Sequence, residues 1–353
     1  MRFHVFGCKS ICPPPKVINS LLVNVLCASW NGGFQIRGKM VIFVSSNRQD
    51  MKTLYFAGGC FWGVARFFSG VPGVQKAVAG YANGRTPDPT YAEVYSDLTG
   101  YAETVEVEYD GRQVDAATLS RLFFCIIDPV SLNRQGEDIG TRYRTGIYYP
   151  DLEQAEAIRP VWEERRQKAG ASFAVEFRPL ENFYPAEEEH QDYLEKHPGG
   201  YCHLGPKIFR YLQLWSDARS LLEGEADPVA VMALLSALIQ QRMRFFWTGF
   251  YRVVDGTLVL GPFQGDVACL RIGYGKGVCG SAWAEDRTLV VPDVEQFEGH
   301  IACSTLSRSE IVVPVHDAEG RVAAVLDIDS TETDTFDASD AAWLELICYL
   351  CRL

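Results

Sequence analysis

Gly58 and Gly59 stand between a short apolar run, Thr53 to Ala57, and a stretch, Phe61 to Ser69, whose apolar residues recur at helical spacing. The chain must pass there from a buried strand to a helix through a sharp turn, which two glycines permit. Cys60 falls at or just before the helix N-terminus, with Phe61 and Trp62 behind it. Unpaired N–H groups and the positive end of the helix dipole favour a thiolate at such a position, so the thiol is expected to ionise below its free value of about 8.5. The competing reading is a small, inert, buried cysteine.

The alternation continues. Strands are expected at 53–57, 74–81, 103–109, 144–149 and 173–178, and helices at 61–69, 115–127, 151–168 and 186–196. Helices packed on a sheet follow, an α/β sandwich over 51–206. The long connections Gly84–Thr90 and Asn133–Arg142 are of the kind that carry function. After Gly205-Pro206 the pattern changes. Residues 207–226 read as a linker, with Arg210–Arg219 either part of it or an entering helix. Asp227-Pro228 opens an amphipathic helix reaching Arg244. Strands near 247–254, 257–261, 288–291, 311–316 and 321–328 follow, with hairpin signals at Asp255-Gly256 and Glu319-Gly320 and a last helix over 337–351. Residues 227–353 are therefore expected to form an antiparallel sheet flanked by helices, and the fold class is α/β (α+β).

A chain of 353 residues has room for two such cores. Its net charge of -12 argues against nucleic acid or anionic membranes as partners. No uncharged apolar run approaches the roughly 18 residues of a membrane span. The 11 cysteines are scattered and odd in number, unlike a secreted disulfide scaffold, which points to a reducing, cytoplasmic setting with a few redox-active thiols. Cys125, in the apolar run 122–127, reads as core, and Cys348 and Cys351 read as helix packing. Residues 1–50 read as an extension or an over-long start, since Met51 directly precedes the first convincing strand.

A thiolate that attacks an electrophile needs a partner for the oxygen that takes up electrons. Histidines of the first half, at 190, 197 and 203, sit in no protease or acyltransferase context, whereas Glu103, Tyr91 and Tyr143 are candidate acid donors. A neutral glutamic acid with tyrosine hydroxyls could hydrogen-bond a polar X=O group, while Phe61 and Trp62 hold a small apolar group beside it. Several motifs then carry a resemblance: Gly59-Cys-Phe-Trp-Gly63, Gly80-Tyr81, Asn83-Gly84, Pro89-Thr-Tyr91, Gly100-Tyr-Ala-Glu103, Asp128-Pro129, Asn133 to Asp138, Tyr143-Arg144 and Phe183-Tyr-Pro-Ala-Glu187. Over 53–204 the chain resembles peptide methionine sulfoxide reductase A. The resemblance implies a ferredoxin-like sandwich in which Cys60 attacks the sulfoxide sulfur. It implies that Glu103 supplies the proton with help from Tyr91 and Tyr143, that Phe61, Trp62 and Tyr143 enclose the methyl group, and that Asp138 organises the polar network. Cys202, on a Gly-rich tail, matches the family's resolving thiol. No further cysteine follows in 206–212, so the resemblance implies a direct Cys60–Cys202 disulfide reduced by thioredoxin, itself served by thioredoxin reductase and NADPH.

In the second half Cys269, Cys279 and Cys303 lie in polar or Gly-rich settings. Zinc with His300 as a fourth ligand is one reading, but the short Cys-x-x-Cys knuckle is missing, and no metal is expected. A redox trio fits better. Asp327 and Asp329 alternate as i and i+2 and so share one strand face, with Glu310 at the start of another strand. Three converging carboxylates would suit an ammonium group. Trp247-Thr-Gly-Phe-Tyr251, Leu258 to Gly265, Ala268-Cys269, Gly275 to Gly280, Gly299 to Cys303, Ser309-Glu310-Ile311 and Val325 to Ser330 resemble the GAF-fold free methionine-(R)-sulfoxide reductases. The resemblance implies Cys303 as catalytic thiol, Cys269 as main resolving thiol and Cys279 as an accessory one. It implies Trp247 against the substrate methyl and Glu310, Asp327 and Asp329 around the amino acid's polar groups.

Sulfur oxidation of methionine gives two epimers, and a chiral pocket that fits one rejects the other. Together the resemblances imply a bifunctional oxidoreductase of protein repair and oxidative-stress response, with no bound cofactor. The first domain would take the S epimer in oxidised proteins and as free amino acid, and the GAF domain the free R epimer alone. The alternative is an S-specific reductase with a non-catalytic, regulatory GAF sensor. Oligomeric state is not legible in the sequence.

Overall fold

A computed structural model describes residues 21–23, 40–42, 50–301 and 303–351. The chain divides into two compact units. In the first, Met1–Met51, strands β1 (Leu21–Val23) and β2 (Met40–Ile42) pair antiparallel with Leu22 opposite Val41. The remainder of the expected extension lies outside the described residues.

The second unit, Lys52–Leu353, carries the other elements. Its first part runs β3 (Met51–Gly58), α1 (Phe61–Ser69), β4 (Val74–Ala82), α2 (Tyr91–Tyr95), β5 (Ala102–Asp110), α3 (Ala116–Phe124), β6 (Arg134–Gln135), β7 (Asp138–Ile139), β8 (Thr145–Tyr149), α4 (Leu152–Ala169), β9 (Glu176–Pro179), β10 (Phe183–Pro185) and α5 (Tyr193–Lys196). Six strands form a mixed sheet in the order β10-β4-β5-β3-β8-β9, in which β8 and β9 run parallel. Helices α1 and α3 cover one face, where Phe56 packs on Phe68 at 4.5 Å and on Phe123 at 5.1 Å between ring centroids. Each fully buried ring of this kind stabilises the fold by roughly 1.5–3 kcal/mol.

Three local expectations differ from the structure. Residues 186–196 are not one helix: a single turn at Glu188–His190 and α5 flank Asp192, whose φ of 52° is left-handed. Gln191 is the reason, since its amide accepts from Ala79 N at 3.0 Å and donates to Ala79 O at 2.9 Å, imitating a strand beside β4. Helix α3 stops at Phe124 rather than 127, ahead of Asp128, whose position before Pro129 disfavours helix. Strand β9 starts at Glu176, after a turn at Gly170–Ser172.

The second part runs α6 (Pro206–Leu221), α7 (Pro228–Met243), β11 (Trp247–Val254), β12 (Thr257–Gln264), β13 (Arg271–Gly273), α8 (Gly277–Glu285), β14 (Leu289–Val291), β15 (Ser309–His316), β16 (Val322–Ser330) and α9 (Ala338–Cys348). The sheet order is β13-β12-β11-β16-β15-β14, and each of these pairings is antiparallel. Alternation sends Ile311, Val313 and Val315 toward α7 and α9, and Val312 toward α8. Strand β13 and helix α8 were not anticipated, because 273–280 is rich in glycine. Close approach explains it: a Cβ on Gly280 would stand 2.3 Å from the Gly273 carbonyl oxygen.

Residues 207–226 are not a free connector. Helix α6 buries Ile208, Tyr211, Leu212, Leu214, Trp215 and Ala218, and one continuous apolar core joins α1 and α3 to α6, α7 and α9. Trp343 of α9 meets Phe67 of α1 edge-on at 6.0 Å and stacks on Tyr211 at 5.7 Å. Tyr211 donates to Asp340 Oδ1 at 2.8 Å and Lys207 to Asp340 Oδ2 at 2.9 Å, so the buried carboxylate is paired and hydrogen-bonded. The Cys125 thiol donates to the Ala342 carbonyl at 3.5 Å, and Cys348 and Cys351 are buried. Among the described residues no helix is long and apolar enough to cross a membrane.

Candidate active sites

Strand β3 delivers the chain to Gly59, whose φ of +83° is open to glycine but strained for other residues. A Cβ there would also stand 2.6 Å from Gln135 Cβ. Gln135 in turn accepts from Asp128 N at 2.8 Å and donates to Asp128 O at 2.9 Å, so this loop seats the turn that holds Cys60. Cys60 is the N-cap of α1 and is buried. The expected lowering of its pKa does not hold in this arrangement. Burial pushes the thiol well above its ordinary value and the Glu103 carboxylate adds to the push, outweighing the Trp62 and Gly63 N–H groups that act the other way.

Glu103, on β5, accepts from the Phe61 N–H at 3.0 Å and is itself pushed up to about 8 by burial, against weaker lowering by that N–H and by Arg142. Near neutral pH this carboxyl is a neutral acid, and its negative charge is then absent from the Cys60 environment. Burial first, then Glu103 and Cys60, raise Tyr91 to about 12, and burial and Glu103 raise Tyr143, so both hydroxyls keep their protons beside the thiol. Phe61 packs 6.1 Å from Trp62 and 6.5 Å from Tyr91, and the half-buried Trp62 stacks on Tyr193 at 3.8 Å. Asp138 accepts from the Tyr201 hydroxyl at 3.1 Å. Cys202 is half-exposed, its sulfur 3.4 Å from the point a Cβ on Gly63 would occupy.

The second site lies on the α8 face of the second sheet. Register sets Glu310 opposite Asp329 and Asp327 opposite Val312, which brings the three acids to one end of β15 and β16. Cys279, in the first turn of α8, lies 3.9 Å from Glu310 Oε1. Burial, then the neighbouring acids, hold Glu310 and Asp327 well above the usual carboxylate range, and burial raises Asp329 to about 6 against a hydrogen bond from Ser307. Asp327 Oδ1 is buried without a hydrogen-bond partner. Cys303 is exposed, yet burial of its sulfur and the adjacent Cys269 thiol raise its pKa. Trp247 stacks on Phe263 at 5.5 Å and donates from Nε1 to Asp266 O at 3.0 Å. Ile301, Cys303 and Ser307 line, with Cys279 and the acids, a cavity of about 20 Å³, room for about one water.

Two family models match the chain: peptide methionine sulfoxide reductase over residues 52–214, and GAF domain over residues 225–353. The peptide methionine sulfoxide reductase MsrA of Clostridium acetobutylicum is 48% identical over 160 residues, which covers 45% of this chain and 99% of that protein. The chain belongs to the peptide methionine sulfoxide reductase family. Two solved structures align with this reductase. One is the free methionine-R-sulfoxide reductase of Neisseria meningitidis, 44% identical, covering 42% of this chain and 89% of that one, with a TM-score of 0.41. The other is the reduced fRMsr of Staphylococcus aureus, 46% identical, covering 40% and 92%, with a TM-score of 0.39.

The reductase thus gathers Cys60, Phe61, Trp62, Tyr91, Glu103, Asp138, Tyr143 and Cys202 around one helix N-terminus, and Trp247, Cys269, Cys279, Cys303, Glu310, Asp327 and Asp329 around one sheet end. Several neighbours were not singled out from the sequence. Glu187 accepts from Tyr81 Oη and from Tyr91 N, each at 2.7 Å, and so ties α2 to β4. His190 packs 4.5 Å from Tyr91 and 5.4 Å from Phe61. Arg142 lies over the Tyr143 ring at 4.5 Å and pairs with Asp97 at 2.7 Å. In the second site Tyr251 donates to Cys269 O at 3.0 Å. Of these, Glu187 and Tyr251 lie inside the quoted motifs Phe183 to Glu187 and Trp247 to Tyr251, and Arg142 ends the long connection from Asn133.

Proposed function

We propose that this chain reduces both epimers of methionine sulfoxide, the S epimer at Cys60 and the free R epimer at Cys303. The observation that carries this reading is a difference between two thiol sites in one unit. Cys60 faces a single buried acid held neutral near physiological pH, whereas the cysteine trio lies beside three carboxylates with no Lys or Arg lining the cavity.

At the first site the neutral Glu103 carboxyl donates to the sulfoxide oxygen, with the Tyr91 and Tyr143 hydroxyls alongside. The Cys60 sulfur attacks the substrate sulfur, the S–O bond breaks, and the oxygen passes to Cys60 as a sulfenic acid while methionine leaves. The Cys60 proton goes to the departing oxygen system, so the high resting thiol pKa is met by coupling deprotonation to attack. Cys202 then displaces water from the sulfenic acid, giving a Cys60–Cys202 disulfide. A thioredoxin, recharged through thioredoxin reductase and NADPH, reduces that disulfide. Aromatic walls of Phe61, Trp62 and Tyr143 take the methyl group on a surface open to a peptide chain.

At the second site Glu310, Asp327 and Asp329 take the ammonium and other polar groups of the free amino acid, with Trp247 against the methyl group. Cys303 attacks, Cys269 resolves and Cys279 is accessory. The three acids suit the ammonium group of a free amino acid, which a peptide-bound residue lacks, so the R activity is confined to free amino acid. The setting is a reducing one, taken as the cytoplasm.

Turnover of separated epimers by the full chain tests this. Cys60→Ser is expected to abolish reduction of S substrates and spare free R substrate, with Cys303→Ser doing the reverse. Loss of both activities from either change would refute two independent sites, and no loss of thiols when free R substrate is added to Cys60→Ser would favour a GAF sensor.

A further inference from the structure

The reductase uses Cys60 with Asp138 and Cys202, but it leaves His203 without a task. One ligand atom from each of Cys60, Asp138 and His203 lies within 4.8 Å of the other two. The imidazole is largely enclosed and neither ring nitrogen has a hydrogen-bond partner, although the Gly58 backbone approaches it. Buried polar groups are rarely left so. The ring straddles the turn that carries Cys60. Its Nε2 lies 3.5 Å from where a Cβ on Gly59 would be, its Nδ1 lies 3.0 Å from the same point on Gly63, and Cys202 Sγ lies 3.4 Å from the latter. Asp138 is oriented by the Tyr201 hydroxyl, the kind of outer partner that steadies a metal-binding carboxylate.

We propose that the thiol-reduced chain binds one zinc ion reversibly through Cys60, Asp138 and His203, with Cys202 as the fourth donor, and is silenced at the first site while it does so. Sulfur, imidazole and carboxylate are the donors zinc takes, at about 2.0–2.3 Å, and a tetrahedron of that size sets its corners roughly 3.3–3.8 Å apart. Closing the cluster of Cys60, Asp138 and His203 from within 4.8 Å therefore asks each of those side chains to move by about an ångström, with Cys202 drawn in from its place beside Gly63. Binding exchanges protons for metal: Zn²⁺ and two thiols give a zinc dithiolate and two protons, with no change of oxidation state. A Cys60–Cys202 disulfide removes two of the four donors and releases the ion. Cys279, Glu310 and Asp327 also converge within 4.8 Å, but they line a cavity of about 20 Å³, room for one water rather than a hydrated ion.

The test uses full-length chain, reduced with a phosphine and freed of it, at buffered zinc concentrations in single turnover. The expected result is one zinc retained per chain, loss of S-epimer reduction with free R-epimer reduction kept, and recovery on adding EDTA. Cobalt(II) in place of zinc is expected to give a thiolate-to-metal absorption band that weakens in Cys60→Ser and is lost when Cys202→Ser is added, a signal independent of which substrate each site takes. His203→Ala is expected to reduce S substrate normally without metal and to need at least about tenfold more zinc for inhibition. His203→Gln, which keeps the volume, serves if the alanine variant does not fold. Absence of retained zinc, absence of the cobalt band, or unchanged zinc sensitivity in the His203 variant would overturn the proposal.

Discussion

The two thiol sites solve one chemical problem with opposite surroundings. Around Cys60 one fully buried carboxyl, Glu103, is anchored to a helix N-terminus, with aromatic rings as walls and the half-buried Asp138 at the edge. Around Cys279 three acids crowd one another along a small cavity. A lone buried acid keeps its proton and can give it away, whereas clustered acids keep their protons until a cation arrives to stabilise their charge. The first arrangement suits a substrate recognised only at its sulfoxide and methyl group. The second suits one recognised by its charged end, which a residue inside a protein lacks.

The strongest way to break this comparison is to remove the proton of the isolated acid. Glu103→Gln keeps the shape and is expected to lower S-epimer kcat by about 10²- to 10⁴-fold, leaving free R-epimer kinetics unchanged. Comparable losses at both sites would mean the acids are not specialised. The next test asks how separable the sites are. Trp343→Ala opens a cavity between α1, α6 and α9 and is expected to cost about 3–5 kcal/mol. Calorimetry should show one transition shifted downward, with both activities lost together on heating.

The pH profiles sharpen the contrast. Glu103 must hold its proton, so S-epimer turnover is expected to fall as pH rises above about 8, the value to which burial pushes it. Asp329 must be ionised to hold an ammonium, so the KM for free R substrate is expected to rise as pH falls below about 6. Linkage has a definite sign for Glu103. The folded chain holds that proton more tightly than the unfolded one, so this group's contribution to stability declines as pH rises from 4.5 toward about 8. The smallest effect is expected from Cys279→Ser, less than about twofold on R turnover while Cys269 remains to resolve; the progress curve of a first turnover checks it.

Much of this was legible in the sequence where periodicity or turn chemistry acts locally. The strand-turn-helix around Cys60, the hairpin at Asp255-Gly256 and the shared face of Asp327 and Asp329 all follow from spacing within ten residues. What the sequence concealed depends on partners far along the chain. Helix α8 rests on a close backbone approach at Gly280, and the break at Asp192 rests on Gln191 reaching Ala79. The Cys60 thiol was misjudged for the same reason: helix-end polarity is local and visible, whereas desolvation comes from everything packed around the sulfur. Helix α6 hid its role because its polar and apolar residues serve two neighbours at once.

That shared core has a consequence for the economy of the cell. Transfer of an oxygen atom from an oxidant to methionine sulfur makes both sulfoxide epimers, and two separate enzymes would be synthesised, damaged and degraded on separate schedules. With Trp343 of one half lodged against Phe67 of the other and backed by Tyr211, neither half can be discarded or turned over without its companion. The two capacities are born, lost and inherited in a ratio of one to one.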